Sequence, residues 1–202
     1  MRGLAMALCV WGAAAAPAAS RASPRGVALM EEARAGTALW AVLQTAEGRV
    51  VVSLDGPREA VAAWVGVATG GAPWYSGGAW VARPLFDHTA IRRVIPGLGV
   101  ALGGAPGWSL PGLAYAPTTP GFVRGAVVLA PAIGRGGPRV VLLTANAPWL
   151  RAPVVRLGQV VSGLGVVDAL AQAPRAADDS PQPAVSLQSV QVFDAPPPGA
   201  AR

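Results

Sequence analysis

The sequence predicts a mostly β protein whose short strands close into an antiparallel barrel. Three observations predict it. Glycine and proline are abundant, 26 and 20 of 202 residues, a composition that disfavours long helices and favours short strands joined by turns. Runs rich in β-branched and aromatic residues recur along the chain, punctuated by Gly and Pro. Clear helical spacing of apolar residues is confined to two stretches. Many short strands with few helices fit a closed barrel better than layered helices and parallel strands.

The elements follow in order. Residues 20–36 are of mixed composition and read as a linker, or as a short helix around Met30 and Arg34. Residues 39–45 and 50–54 are strand-like, and Glu47-Gly48 between them fits a hairpin turn. Pro57 opens a helix at a position where its missing N–H costs nothing. Ala60, Val61, Trp64, Val65, Val67 and Ala68 form its apolar face, and Gly70-Gly71 ends it. A glycine-rich loop, residues 72–83, carries Trp74, Tyr75 and Trp80. Strands are expected at residues 90–95, 98–102, 126–130, 140–144 and 155–160. A second helix is expected at 163–170, with Leu164, Val167 and Leu170 on one face. Residues 173–183 read as a polar linker, 185–193 as the last strand, and the Pro-rich tail 195–202 as disordered.

Composition excludes several functions. The charge is +6, from 16 basic and 10 acidic residues. Every basic residue is Arg, spread from Arg2 to Arg202, with Arg92–Arg93 the one adjacent pair. A phosphate-tracking surface clusters its cations, so this pattern reads as a compositional bias, not as nucleic-acid binding. One cysteine, Cys9, and one histidine, His88, cannot build the common zinc sites or an internal disulfide. There is no G-x-S-x-G elbow, and the glycines at 134–137 lack the Lys-Ser/Thr of a phosphate loop.

The first residues read as an export signal. Met1-Arg2 is followed by an apolar stretch to Ala16, too short to span a bilayer, and then by small residues around Ala18. The expected organisation is a signal peptide at 1–22, a linker at 23–38, a folded domain at 39–194 and a tail at 195–202.

Four ordered motifs resemble the cyclophilin family. PLFDHTAIRRVIPG at residues 84–97 is similar to the family's P-L-Y-D-G-T-x-F-H-R-V-I-P-G. Upstream, PREAVAAWVGVATGGAPW at 57–74 resembles its first helix and A-T-G exit. Downstream, TANAPWL at 144–150 and LGQVVSGLGVVDAL at 157–170 resemble T-x-x-x-x-W-L and F-G-x-V-x-x-G-x-x-V-V-D-x-I. The resemblance implies a closed eight-stranded antiparallel β-barrel capped by two helices. It implies peptidyl-prolyl cis-trans isomerase activity on X-Pro bonds, with proline-containing polypeptides as partners. That reaction requires no metal and no cofactor, and the other expectations are no nucleic acid, no stable membrane span and a monomeric state.

The resemblance also carries site residues. The arginine of F-H-R-V, the family's catalytic donor, falls on Arg93, whose alternative reading is a surface arginine in a salt bridge. The family's Gln that orients the substrate carbonyl falls on Leu102, taking residues 98–105 as one residue longer than the family pattern. The pocket-floor Phe falls on Val141, and the Gln two before it on Arg139. An Asn of the preceding strand falls near Pro131, and a pocket His near Val154. Trp149 is retained with Leu150 after it, as a rim of the proline pocket or as a core aromatic. Trp64 takes the place of a helix Phe and, like Trp40, is expected in the core, while Trp74, Tyr75, Trp80 and Trp108 sit in loops, where aromatics bind ligands or cover the core, and covering is the expected role. His88 replaces a turn glycine; Asp87 and Asp168 are expected in structural contacts. These replacements imply an isomerase of reduced activity, the leading reading, with a non-catalytic cyclophilin-like module that binds peptides or proteins as the alternative.

Overall fold

The computed structural model describes residues 21–76, 78–103, 108, 121–131, 137–150 and 153–200. Most of the segment read as a signal peptide lies outside these residues.

The segment read as a linker or as a short helix around Met30 and Arg34 carries a longer helix, α1 (Pro24–Ala35). Ser23 caps it, accepting a hydrogen bond from the Gly26 N–H at 3.2 Å, and Pro24 occupies the first turn. Gly36, in the left-handed conformation at φ 87°, ends it. Only Gly26, Leu29 and Ala33 are buried along it, a stripe too sparse to stand out as a period in the sequence. α1 packs on α2 (Arg58–Thr69), the helix opened by Pro57. The α2 face is broad: Ala60, Val61, Ala62, Trp64, Val65, Gly66, Val67 and Ala68 are all buried.

The strands assemble in sequence order as follows. β1 (Leu39–Thr45) and β2 (Gly48–Leu54) form a hairpin whose connecting residues are Ala46 and Glu47, one position earlier than expected. A separate ribbon pairs β3 (Trp74–Ser76) with β4 (Ala79–Val81). Then come β5 (Thr89–Ala90), β6 (Arg93–Ile95), β7 (Gly99–Gly103), β8 (Ala126–Ala130), β9 (Arg139–Leu143), β10 (Val155–Ser162), helix α3 (Leu164–Ala171) and β11 (Ser186–Phe193).

Nine strands form one antiparallel sheet in the order β5-β11-β1-β2-β10-β8-β9-β7-β6. Its two ends belong to one stretch of chain, because only Ile91 and Arg92 separate β5 from β6. The Ile91 N–H donates to the Val185 carbonyl and the Arg92 N–H to the Ala101 carbonyl, each at 2.9 Å. The sheet curls until it meets itself through residues 89–95. Taking β5 and β6 as one interrupted strand reconciles the nine strands with the eight expected. The helices number three among the described residues, because α1 joins the two expected.

Strand alternation sorts side chains to two faces. Val100, Leu102, Val140 and Leu142 point into the barrel core with Trp64, Val65 and Phe86. Ala101, Val128, Val141 and Leu143 belong to a second apolar cluster with Phe122, Ala147 and Val154. Trp64, Phe86 and Trp108 form a chain of tilted and edge-on rings with centroids about 6 Å apart, at 5.9 and 6.0 Å.

The remaining aromatics divide. Trp74 is buried and donates its indole N–H to the Arg83 carbonyl at 2.8 Å. Tyr75 and Trp80 are exposed and pack edge to face on each other, and Trp40 is half-buried. His88 sits at φ 57°, a conformation glycine adopts at no cost. The Asp87 carboxylate accepts from the Val190 N–H at 2.9 Å and pins this turn to β11. Asp168 accepts both ends of the Arg124 guanidinium. Among the described residues no helix is long and apolar enough to cross a membrane.

Candidate functional site

A pocket of about 370 Å³ opens on the second apolar face. It is within the range of small-molecule sites, about 300–1,000 Å³. The sheet register builds it. Arg93 on β6 faces Ala101 on β7, Ala101 faces Val141 on β9, and Val141 faces Val128 on β8. One step further along the strands, Gly103 faces Arg139 and Arg139 faces Ala130. Val128, Val141 and Leu143 line the pocket from the sheet. Ile95 lines it from β6; Leu98, Leu150, Pro153 and Val154 line it from flanking segments, and Arg93 and Arg139 add its two charges.

Four of the six residues expected at the site meet here: Arg93, Arg139, Val141 and Leu150. Pro131 and Val154, expected nearby, are also in the wall. Leu102 is not. It is buried in the barrel core, 4 % exposed, on the opposite face of β7. The residue beside Arg93 and Val141 is Ala101. A single-residue slip along a strand moves a side chain to the other face, so the extra residue assumed in 98–105 selected the wrong face. Nor does Trp149 line the pocket. It is 62 % exposed, which also excludes a core role.

Arg93 is half-exposed, and its Nε approaches the Asp179 carboxylate at 3.7 Å. Arg175 approaches the other oxygen of the same carboxylate at 3.5 Å. The Asp179 carbonyl accepts from the Val94 N–H at 2.8 Å, so the backbone places this carboxylate beside β6. At 3.7 Å the contact is an ion pair and not a hydrogen bond. It orients the guanidinium without consuming its donor capacity, since an Arg offers five N–H donors. Arg93 therefore makes a salt bridge and lines the pocket. The carboxylate partner sits in a segment read as a linker, with no periodicity to mark it.

Among the described residues, Arg139 has no carboxylate partner. Burial pushes its guanidinium below the ordinary arginine value, and the charges of Arg93 and Arg92 push it the same way. The chemistry available is thus an apolar seat bordered by two guanidinium donors.

No protein-family model matches the sequence, and no curated protein matches it. Among solved structures, it is similar to a cyclophilin type peptidyl-prolyl cis-trans isomerase of Cryptosporidium parvum. The TM-score is 0.58 at 14 % identity, over 79 % of this chain and 99 % of that one. The same enzyme in the presence of the dipeptide Ala-Pro gives 0.56 at 14 % identity, over 76 % and 98 % of the two chains. Likeness at this identity speaks for the fold. The chain has a cyclophilin-like fold, a curled antiparallel sheet capped by helices.

Proposed function

We propose that the protein is a peptidyl-prolyl cis-trans isomerase of reduced activity, acting on X-Pro bonds of exported polypeptides. The observation that carries this reading is Arg93 at the wall of an apolar pocket, facing Ala101 and in line with Val141.

The reaction needs little machinery. Amide resonance opposes rotation with a barrier of about 18–20 kcal/mol. In the twisted amide the prolyl nitrogen becomes pyramidal and recovers a lone pair. A guanidinium placed beside it donates a hydrogen bond that the planar forms cannot accept, so binding favours the transition state. The apolar wall seats the pyrrolidine ring, and the fixed geometry of Arg93 limits reorganisation. No covalent step enters.

Reduced activity follows from the side chains beside Arg93. Ala101 offers a methyl where an amide would steer the substrate carbonyl. Val141 gives a smaller floor than an aromatic ring. The second reading, a binding module without catalysis, draws on the same two residues and on the Asp179 contact to Arg93. A direct or chymotrypsin-coupled assay on a proline tetrapeptide separates them. Acceleration over the uncatalysed rate supports the enzyme; an unchanged rate at high protein concentration leaves the binding module.

A pair of substitutions tests the register. Ala101→Gln places an amide on the pocket side of β7 and is expected to raise kcat/KM. Leu102→Gln buries an unpaired amide in the core and is expected to cost about 1–3 kcal/mol of stability with no gain in rate. Faster turnover by Leu102→Gln than by Ala101→Gln would reject the placement.

Export is part of the proposal. N-terminal sequencing of protein from the envelope fraction is expected to begin near Ala18–Ala22, after the apolar stretch. A mature form starting at Met1 in the cytoplasm would contradict it.

A further inference from the structure

We propose that the pocket selects prolines flanked by an acidic residue, with Arg139 as the selecting group. The turnover arm of this inference rests on the isomerase reading; its binding arm does not.

The surroundings of Arg139 make the case. Its neighbours across the sheet are Gly103 on one side and Ala130 on the other, and Val141 follows it on the same face of β9. None of these can hydrogen-bond a guanidinium through a side chain. The residue is half-buried and lines the apolar pocket with Arg93. Arg92 is exposed nearby, so three guanidiniums act on this end of the sheet.

The protein's own carboxylates do not answer them. All 10 acidic residues of the chain fall within the described residues. Asp179 is shared between Arg93 and Arg175. The Asp178 carboxylate accepts from the Ser180 N–H at 3.0 Å and from its hydroxyl at 2.6 Å. Among the described residues, no carboxylate lies within ion-pair distance of Arg139. The seat for the proline ring is therefore apolar, while its border carries an uncompensated positive charge.

A half-buried guanidinium with no carboxylate partner among the described residues is matched by an incoming carboxylate, which can accept two parallel hydrogen bonds. A neutral residue leaves the fork unpaired, and a cationic residue is repelled by all three arginines. Selectivity thus has an attractive and a repulsive part. Asp or Glu next to the proline supplies the charge while the ring fills the apolar seat.

The experiment uses the mature chain and tetrapeptides carrying Glu, Gln or Lys immediately before the proline, with a matching series carrying them immediately after it. Fluorescence anisotropy with labelled peptides measures binding, and the isomerisation assay measures kcat/KM. In at least one series the Glu peptide is expected to be favoured over Gln by about tenfold or more, with Lys lowest. Raising the salt concentration is expected to narrow that ratio. Arg139→Gln is expected to bring the Glu-to-Gln ratio close to one, and Arg139→Lys to keep part of it. Equal treatment of Glu, Gln and Lys by the wild type in both series overturns the proposal. So does an unchanged ratio in Arg139→Gln, or failure of the Glu peptides to bind. Loss of turnover alone, with the binding ratio intact, refutes the isomerase reading and leaves the selectivity standing.

Discussion

Arg93→Ala is expected to lower kcat/KM for a proline tetrapeptide by about 10²–10³-fold, the loss seen when one preorganised transition-state donor is removed. The effect should fall mainly on kcat, because the hydrogen bond to a pyramidal nitrogen exists only in the twisted amide. Arg92→Ala should do far less. Arg92 is exposed, lies just outside β6 and does not line the pocket. Equal rates for the wild type and Arg93→Ala, in a protein that accelerates isomerisation, would remove Arg93 from the mechanism while leaving the fold untouched.

The second large effect concerns stability. Trp64 is 3 % exposed and packs on Phe86 beneath the barrel mouth. Trp64→Ala should destabilise by about 3–5 kcal/mol through lost burial and the cavity left behind. For a chain of this size that lowers Tm by roughly 10 °C. Trp64→Phe should cost much less. The Trp64 indole N–H has no hydrogen-bond partner among the described residues, so removing it forfeits no bond and relieves an unsatisfied buried donor. Thermal denaturation followed by circular dichroism checks both variants. Equal losses for Phe and Ala would mean that the N–H, and not the ring volume, holds this position.

Much of the barrel was legible because its strands are dense in β-branched residues and separated by Gly and Pro. VVVSL in β2 and AVVLA in β8 leave little choice of conformation. α1 was less legible because its buried stripe is only Gly26, Leu29 and Ala33 amid Arg, Glu and small residues. Its clearest local signal was the pair Ser23-Pro24. At the site, Arg93 was legible from the retained Val94-Ile95-Pro96-Gly97 that follows it, although Ile91 and Arg92 replace the two residues before it. Ala101 was not, because glycine and small residues at 97–105 offer no anchor for a register, and register decides which face a side chain takes. Asp179 lies 86 positions from Arg93 in a polar segment, and only the closed sheet brings the two together.

Closure itself has a consequence for the site. The seam of the barrel is residues 89–95, held by β5 to β11 on one side and by β6 to β7 on the other. β5 and β6 are 2 and 3 residues long, shorter than any other strand of this sheet. Such short ladders are the cheapest part of a sheet to unzip, since few hydrogen bonds must break together. Arg93 begins the longer of the two. An opening of the β6–β7 ladder would carry the guanidinium away from Val128, Val141 and Leu143, which β8 and β9 hold by their own pairing. Intactness of the seam and assembly of the site are one and the same condition.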